Sequence, residues 1–590
     1  MKCNLVNENF RNNYAENLLK ARGVADVQAF MEPRAEFVQS PHDLKNIGMA
    51  AAMYLRIVMN DKPPYSRILI IVDSDCDGFT SATIMYQYTK QINCHCQIDY
   101  WLHEGKQHGL QDHIDRLLNE DIHYDLIILP DSSSNDAHYH DMLDGINIPC
   151  LILDHHLTDV ALSDNAVVVN NQLSPNYRNK ELTGAGVVYQ FCRFLDEKLK
   201  TNWAENYIDL AALGIIGDMG SVIELENRYI IYQGLRNIKN DLFRCLLEKA
   251  SYSITGKMDA TWNDVVAKTN PISVAFYVVP MVNALIRVGT MEEKELLFQA
   301  FLDGAQMVPC NKRGAKGTLE RADIEAARVC TNAKSHQNKM LDDMMLRVEA
   351  KIFKYDLLEN KVLFLRLDEE KFPPEINGLL AMKLAAKYKK PTIVARLNDQ
   401  GYDRGSIRGV NNSPLESFKD FLTKSGLFEY VQGHANAAGC SIPDKSLAAF
   451  HTYANEALKD VDFGENCYDV NFERLATAQD LRDMIIDLSE MGGVWGQQNP
   501  ESLIHVKHIV ASGNDIRIMG TNKDTIKIEC NGIAYMKFHA KDLIEQISQY
   551  KGSIILEVVG RPNLNEWMGI KTPQIFIEDY EIQQYNPLDF

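Results

Sequence analysis

Between residues 67 and 171 one pattern repeats: an apolar run, a polar turn, a helical stretch. The apolar runs are Arg67–Asp73, Cys96–Leu102, Tyr124–Asp131, Cys150–Asp154 and Ala166–Asn170. Helical stretches such as Ser81–Gln91 and Leu110–Glu120 lie between them. This alternation predicts a parallel sheet covered by helices, and continuous apolar runs suit strands buried on both faces. All strands of a parallel sheet end at the same edge, so whatever the runs end in is gathered there. The first run, Ile68-Leu69-Ile70-Ile71-Val72, ends in Asp73-Ser74-Asp75-Cys76-Asp77-Gly78. The second ends in His103 with Lys106 and His108, the third in Asp131, the fourth in Asp154-His155-His156. Ligands of open α/β sheets bind at that edge. Buried acids are costly unless something positive neutralises them, and a divalent cation is the obvious candidate.

A further acid, Asp218, sits in Leu213-Gly214-Ile215-Ile216-Gly217-Asp218-Met219-Gly220 after a helix expected over Asn206–Leu213. On its own it reads equally as a turn or cap residue. No stretch approaches the ~20 apolar residues of a membrane span, and the first residues lack the apolar core of a signal peptide. Twelve cysteines occur without a CxxC pair, which points to a reducing cytoplasm and no disulfide framework. Cys94-His95-Cys96 has no partner pair, and alternate strand residues face opposite ways, so it reads as no zinc site. The net charge of −19, from 61 Lys+Arg against 80 Asp+Glu, argues against a protein coated in nucleic acid. It leaves a nuclease open, since affinity comes from the local groove.

The 590 residues suffice for about three or four domains. Residues 1–66 read as a helical cap on the sheet domain, with helices over Asn13–Ala21 and from Pro41 through Met53. Residues 67–303 form the sheet domain. Residues 304–352 read as a connector: a loop, Cys310-Asn311-Lys312-Arg313-Gly314-Ala315-Lys316-Gly317, then a helix over Leu319–Ile352. Lys312, Arg313, Lys316 and Arg321 make a small basic patch there, read as solvated. Residues 353–465 form a second α/β unit containing Gly405-Ser406-Ile407-Arg408-Gly409 and Gly433-His434-Ala435-Asn436-Ala437-Ala438-Gly439. Small residues let a backbone approach phosphate, while arginine and histidine bring charge and donors. Residues 466–590 hold several short strands, which suggests a small barrel. Trp495 and Trp567 read as base-stacking platforms or as barrel core.

The order and spacing of Asp73-Ser-Asp75-Cys-Asp77-Gly78, Asp131, Asp154-His155-His156 and Asp218 resemble the four motifs of the DHH phosphoesterase superfamily. The surroundings resemble its RecJ branch, the single-strand DNA exonucleases. The segments that carry this are Leu19-Lys20-Ala21-Arg22-Gly23 with Phe30, Pro33 and Ser40-Pro41; Glu181-Leu182-Thr183-Gly184-Ala185-Gly186-Val187; and Pro280-Met281-Val282-Asn283-Ala284-Leu285-Ile286-Arg287. The last keeps Asn283 and Arg287 of a PxxNAxGR pattern but not the glycine. The two small-residue segments of the second unit resemble GSxR and GGHxxAAG, with Gln432 in place of the first glycine. Trp495-Gly496-Gln497-Gln498-Asn499-Pro500 and Asn565-Glu566-Trp567-Met568-Gly569 resemble landmarks of the RecJ OB-fold.

The resemblance implies an α/β fold: a parallel-sheet DHH domain and a smaller α/β DHH-associated domain joined by a long helix, followed by a C-terminal OB-like β-barrel. It implies two divalent cations, Mn2+ preferred or Mg2+, which suit hard oxygen ligands with a histidine. The implied metal ligands are Asp73, Asp75, Asp77, Asp131, His155 and Asp218, with Asp131 bridging and Asp73 and Asp154 either ligands or orienting groups. His156 would touch the scissile phosphate, placing His156, Asp154 and Asp131 in the catalytic set. Arg287, Asn283, Ser406, Arg408, Gly433 and His434 would bind substrate, with Ser406, Arg408 and Arg287 receiving a 5′-terminal phosphate.

The implied activity is 5′→3′ exonucleolysis of single-stranded DNA in recombination, repair or replication. The enzyme would be a cytoplasmic monomer off the membrane, served by a single-strand binding protein or helicase. Two other readings compete: a phosphodiesterase for short oligoribonucleotides or cyclic dinucleotides, and a non-catalytic DNA-binding replication scaffold. Two departures bear on the substrate end. Residues 103–108 lack the arginine that many RecJ proteins carry, leaving Lys106 or His103 as substitutes, and Asp131-Ser132-Ser133-Ser134 stands where a glycine turn is usual.

Overall fold

The computed structural model describes residues 1–585 except 106, 120–121, 159–160, 368–372, 411–412, 465 and 568–569, and, in strand Ile554–Trp567, not the side chain of Trp567. The chain forms two compact units: Gln28–Lys339 with Gly493–Asn499, and Met1–Val27 with Met340–Gly492 and the residues from Pro500 onward.

The first unit is built on strands β1 (Arg67–Val72), β2 (Gln97–Leu102), β3 (Leu126–Pro130), β4 (Cys150–Asp154) and β5 (Ala166–Asn170). They pair in the order β2-β1-β3-β4-β5, all parallel. β3 and β4 are buried throughout, as their unbroken apolar runs require. The strand order reverses between β1 and β3. That reversal opens a crevice at the carboxyl edge, the switch point where doubly wound sheets bind ligands. Helix α1 (Cys76–Ile92) leaves β1 and packs against α2 (Gly184–Leu199) and α3 (Ile208–Gly217). Apart from Asp209, α3 is apolar all round, and it is buried along nearly its whole length, the mark of an interior helix.

The helical run Pro271–Val288 is long and apolar enough to cross a membrane, with a mean hydropathy of 1.6 over 18 residues. More than half of it is buried inside the protein, as in a core helix. It contains a π-helical turn at Val274–Val278, just before Pro280, and ends in α4 (Val279–Val288). A proline supplies no N–H to the helical ladder, so a looser turn beside it is expected.

The expected connector starts differently. Strands Met307–Pro309 and Leu319–Arg321 form a hairpin around the basic loop, and α5 (Ala322–Lys354) follows. In the second unit β6 (Leu363–Arg366), β7 (Thr392–Leu397), β8 (Tyr402–Arg408), β9 (Tyr430–His434) and β10 (Ala437–Pro443) make a mixed sheet in the order β9-β10-β8-β7-β6. Only β6 and β7 run parallel. Helix α6 (Asn377–Tyr388) packs on β7 and β8.

The C-terminal region is a seven-stranded sheet from Phe472–Leu475 to Ile570–Gln584. It curls until Ile504–Ala511 meets Thr525–Cys530, two strands that are not paired neighbours, as a small barrel does. Trp495 is buried in the first unit, so it is core rather than a stacking platform.

The N-terminal cap over residues 1–66 needs correction. Strand Lys2–Leu5 pairs in parallel with Cys467–Val470, Tyr14 stacks edge-on against Phe472 at 5.9 Å, and Ala15 N donates to Asp487 at 3.1 Å. The first 27 residues therefore belong with the C-terminal unit, and only the remainder packs with the parallel sheet.

Candidate metal centre and active site

The turn out of β1 sets the first acids. Asp75 is the N-cap of α1, its Oδ1 accepting from Gly78 N at 3.0 Å. Asp73 and Asp77 are buried to about 1% exposure. The start of α2 points at Asp77, with Gly184 N and Ala185 N donating to it at 2.8 and 3.0 Å. An anion at a helix N-terminus is favoured by the free N–H groups and the dipole. Gly184 has a second duty. A Cβ there would lie 2.2 Å from Asp131 Oδ1, so the acid cluster closes only around a residue without one.

Asp131 follows β3 with φ 69°, and Ser133 has φ 82°. The left-handed turn that glycine usually serves is thus made with aspartate and serine. It is pinned by Asp131 N on Leu153 O at 2.8 Å and Ser133 Oγ on Asp136 at 2.6 Å. Ser134 N then donates to Asp154 Oδ2 at 2.9 Å, while Asp154 Oδ1 accepts from His155 N at 2.7 Å and His156 Nδ1 at 2.8 Å. Both oxygens of Asp154 are spent on local donors, which is what a group that orients its neighbours does. His155 Nε2 reaches 3.2 Å from Asp131 and 3.4 Å from Asp218, the C-cap of α3. Asp218 therefore joins the cluster and is no incidental cap.

Three subsets bring ligand atoms within 4.8 Å of one another: Asp73, Asp75 and Asp131; Asp77, His155 and Asp218; and Asp131, Asp154, His155 and His156. Burial and mutual repulsion push Asp73 up to about 6, Asp77 to about 7 and Asp218 to about 8, and drive Asp131 well above the usual carboxylate range. Burial lowers His155 to about 4, leaving a neutral imidazole able to ligate. Burial would also lower His156, but its bond to Asp154 outweighs that and raises it to about 9. The same bond holds Asp154 below the usual carboxylate range, although burial alone would raise it.

Asp73 Oδ1, Asp131 Oδ1 and His155 Nε2 are buried with no hydrogen-bond partner among the described residues. Mutually repelling acids, a neutral histidine and bare oxygen and nitrogen atoms facing one another fit divalent cations.

Asn283 and Arg287 lie one helical turn apart on α4. Asn283 Oδ1 accepts from Cys76 N at 3.0 Å, fixing the start of α1, and Arg287 lies in the field of Asp75. Of the candidates in the loop after β2, Lys106 lies outside the described residues. His103 is buried against His113, ring centroids 4.5 Å apart, and burial lowers it to about 3. His108, read only as one of three groups at that strand end, reaches the site: its Nδ1 bonds Asp73 Oδ2 at 2.6 Å. No spacing rule would have picked it, because its loop position is set by Gly109 and the Ser74–Gln107 contact.

The other candidates belong to the second unit. Ser406 and Arg408 lie on β8, Gly433 and His434 on β9, and Ala437-Ala438-Gly439 of β10 runs between them. The start of α6 stands beside Arg408: a Cβ at Gly378 would lie 2.7 Å from the guanidinium and 3.6 Å from Ser406 Oγ. Hydroxyl, guanidinium and helix N-terminus thus stand together, groups of the kind that suit an anion, with Arg408 Nη1 donating to Ile407 O at 2.7 Å.

Residues 67–215 match the family described as DHH family, N-terminal domain, and residues 475–579 match the RecJ OB domain. An SPbeta prophage-derived protein of Bacillus subtilis (strain 168), named as a single-strand DNA-specific exonuclease, YorK, is 35% identical over 590 residues, covering 99% of this chain and 98% of that one. The single-stranded-DNA-specific exonuclease RecJ of the same organism is 24% identical, over 97% of this chain and 68% of its own length. Among solved structures, RecJ from Thermus thermophilus in complex with Mn2+ superposes with a TM-score of 0.72 at 18% identity, covering 98% of this chain and 79% of that one.

Proposed function

From the premise that this chain belongs to the RecJ-like single-strand-DNA-specific exonucleases of the DHH family, we propose that it hydrolyses phosphodiester bonds of single-stranded DNA from the 5′ end, using two divalent cations. The observation that carries this reading is the acid cluster at the β1/β3 switch point, with buried bare oxygens on Asp73 and Asp131. Asp73, Asp75, Asp77, Asp131, Asp218 and His155 would hold the ions, Mn2+ or Mg2+. Bound there, such ions would supply an activated water and positive charge that offsets the negative charge developing on the phosphoryl and leaving oxygens.

The chain's own groups do the rest. Asp154 keeps His156 an imidazolium, half-exposed beside the cluster, so its outer N–H can donate to a non-bridging phosphate oxygen as charge builds. Asn283 fixes the start of α1 and with it the placement of Asp75 and Asp77. Arg287 adds a cation beside Asp75. Ser406, Arg408 and the start of α6 would take a 5′-terminal phosphate, with Gly433 and His434 beside the strand. His108, not arginine, would occupy the position after β2, orienting Asp73 by its short hydrogen bond.

In this reading the enzyme acts as a cytoplasmic monomer, in keeping with cysteines that form no disulfide among the described residues. A single-strand binding protein or helicase would present its substrate. The test is Asp131→Ala. It is expected to cut Mn2+-dependent hydrolysis more than about a hundredfold, since losing a ligand exceeds the cost of losing a group that merely supports one. Retained turnover would refute the ligand assignment.

A further inference from the structure

Away from the catalytic edge, the hairpin ahead of α5 assembles one more group of ligating side chains. Cys310 follows the first strand, Glu320 lies in the second, and Glu325 sits on the first turn of α5. Cys310 Sγ and one carboxylate oxygen from each glutamate lie within 4.8 Å of one another, with Sγ 3.3 Å from Glu320 Oε2. Glu325 is fully buried. Its Oε1 accepts from Asn311 N at 3.0 Å and from the Arg328 guanidinium, but its Oε2 has no hydrogen-bond partner among the described residues. A buried carboxylate oxygen left bare is costly unless a ligand completes it.

Two further points make the missing partner a cation. Cys310 Sγ accepts from Lys312 N at 3.4 Å and, as a thiol, donates to Glu320 Oε2 at 3.3 Å, so its proton stands where a cation would displace it. Once that proton is displaced, the thiolate and two carboxylates carry three negative charges against one positive charge from Arg328. A divalent ion balances the remainder.

We propose that Cys310, Glu320 and Glu325 form a second metal site, for a borderline-soft divalent cation of the Zn2+ kind, separate from the catalytic ions. Sulfur sets the selectivity: thiolate favours Zn2+ over the hard Mn2+ and Mg2+ that suit an oxygen-rich site. Tetrahedral Zn2+ with ligands at about 2.0–2.3 Å places ligand atoms about 3.3–3.8 Å apart. The Cys310–Glu320 pair already stands at that separation, and a Glu325 carboxylate oxygen lies within 4.8 Å of both. The ion would pin the hairpin to α5 and fix the loop carrying Lys312, Arg313 and Lys316.

The test uses the full-length protein, stripped with chelator and titrated with Co2+ as a spectroscopic probe, with zinc content measured after desalting from a Zn2+ buffer. The wild type is expected to show a thiolate-to-cobalt charge-transfer band and to retain one Zn2+ per chain. Asp131→Ala should keep both, because its defect lies at the catalytic edge. Cys310→Ser should lose the band and bind Zn2+ at least about tenfold more weakly. Should Cys310→Ser fail to fold by circular dichroism, the partly exposed Glu320→Gln carries the test, with the same tenfold loss and a weakened band. Absence of the band in the wild type, or an unchanged band and zinc content in the variant that folds, would overturn the proposal. Neither result bears on the exonuclease reading, which Asp131→Ala tests alone.

Discussion

Asp77 and Asp131 are carboxylates held where water cannot screen them, and their chemistry follows from that. In the metal-free fold Asp73, Asp77 and Asp218 keep their protons to about 6, 7 and 8, above the ordinary carboxylate value. Between those values and the unfolded one, the native state binds more protons than the unfolded chain, so the site's contribution to stability falls as pH rises from about 4 to 8. A bound cation takes over the role of those protons. The gain in melting temperature on adding Mn2+ is therefore expected to be larger at about pH 8 than at about pH 5, and equal gains would contradict the account. Asp73, Asp77 and Asp131 were legible in the sequence because they follow apolar runs, whereas Asp218 on its own read equally as a turn or cap and stood out only by resemblance. The roles of Gly184 and His108 were not legible. One is defined by the 2.2 Å that a Cβ would leave to Asp131 and the other by a loop that folds back onto Asp73. Both are contacts between segments far apart in sequence.

At the scale of elements, the five strands of the parallel sheet came out within a residue or two of the apolar runs. β3 and β4, buried on both faces, have no polar interruptions, while the edge strand β2 carries Asp99 and is only partly buried. The turn after β3 shows the limit of reading by resemblance. Asp131-Ser132-Ser133-Ser134 departs from the glycine pattern, yet the backbone still takes positive φ at Asp131 and Ser133 and pins the turn with side-chain hydrogen bonds. The small-residue segments of β8, β9 and β10 likewise share one sheet as neighbours in register. There Arg408 is the group whose fork suits a terminal phosphate. Arg408→Ala is expected to reduce the preference for a 5′-phosphorylated over a 5′-hydroxyl strand about tenfold or more, measured as the ratio of kcat/KM values. An unchanged ratio would move end recognition elsewhere.

At the scale of the molecule, the N-terminus is where reading along the chain failed. Lys2–Leu5 has no local partner and pairs with Cys467–Val470, a contact that no local periodicity announces. Arg22 reinforces it by donating to Pro500 O at 2.6 Å and to Asn471 at 3.1 Å. Deleting residues 2–12 is expected to lower the melting temperature by about 5 °C or more while leaving Mn2+ affinity at the catalytic edge unchanged. A lost Mn2+ site would place the N-terminus in the wrong unit.

Metal-dependent cleavage from one end of single-stranded DNA can be followed on a strand labelled at its 3′ end, with Mn2+ and with chelator, beside the same strand as duplex and as RNA. Labelled products are expected to shorten stepwise from the 5′ side, on single-stranded DNA alone and only with metal. Shortening from the label's own end, internal cuts, cleavage without metal, or binding with no cleavage would contradict this reading.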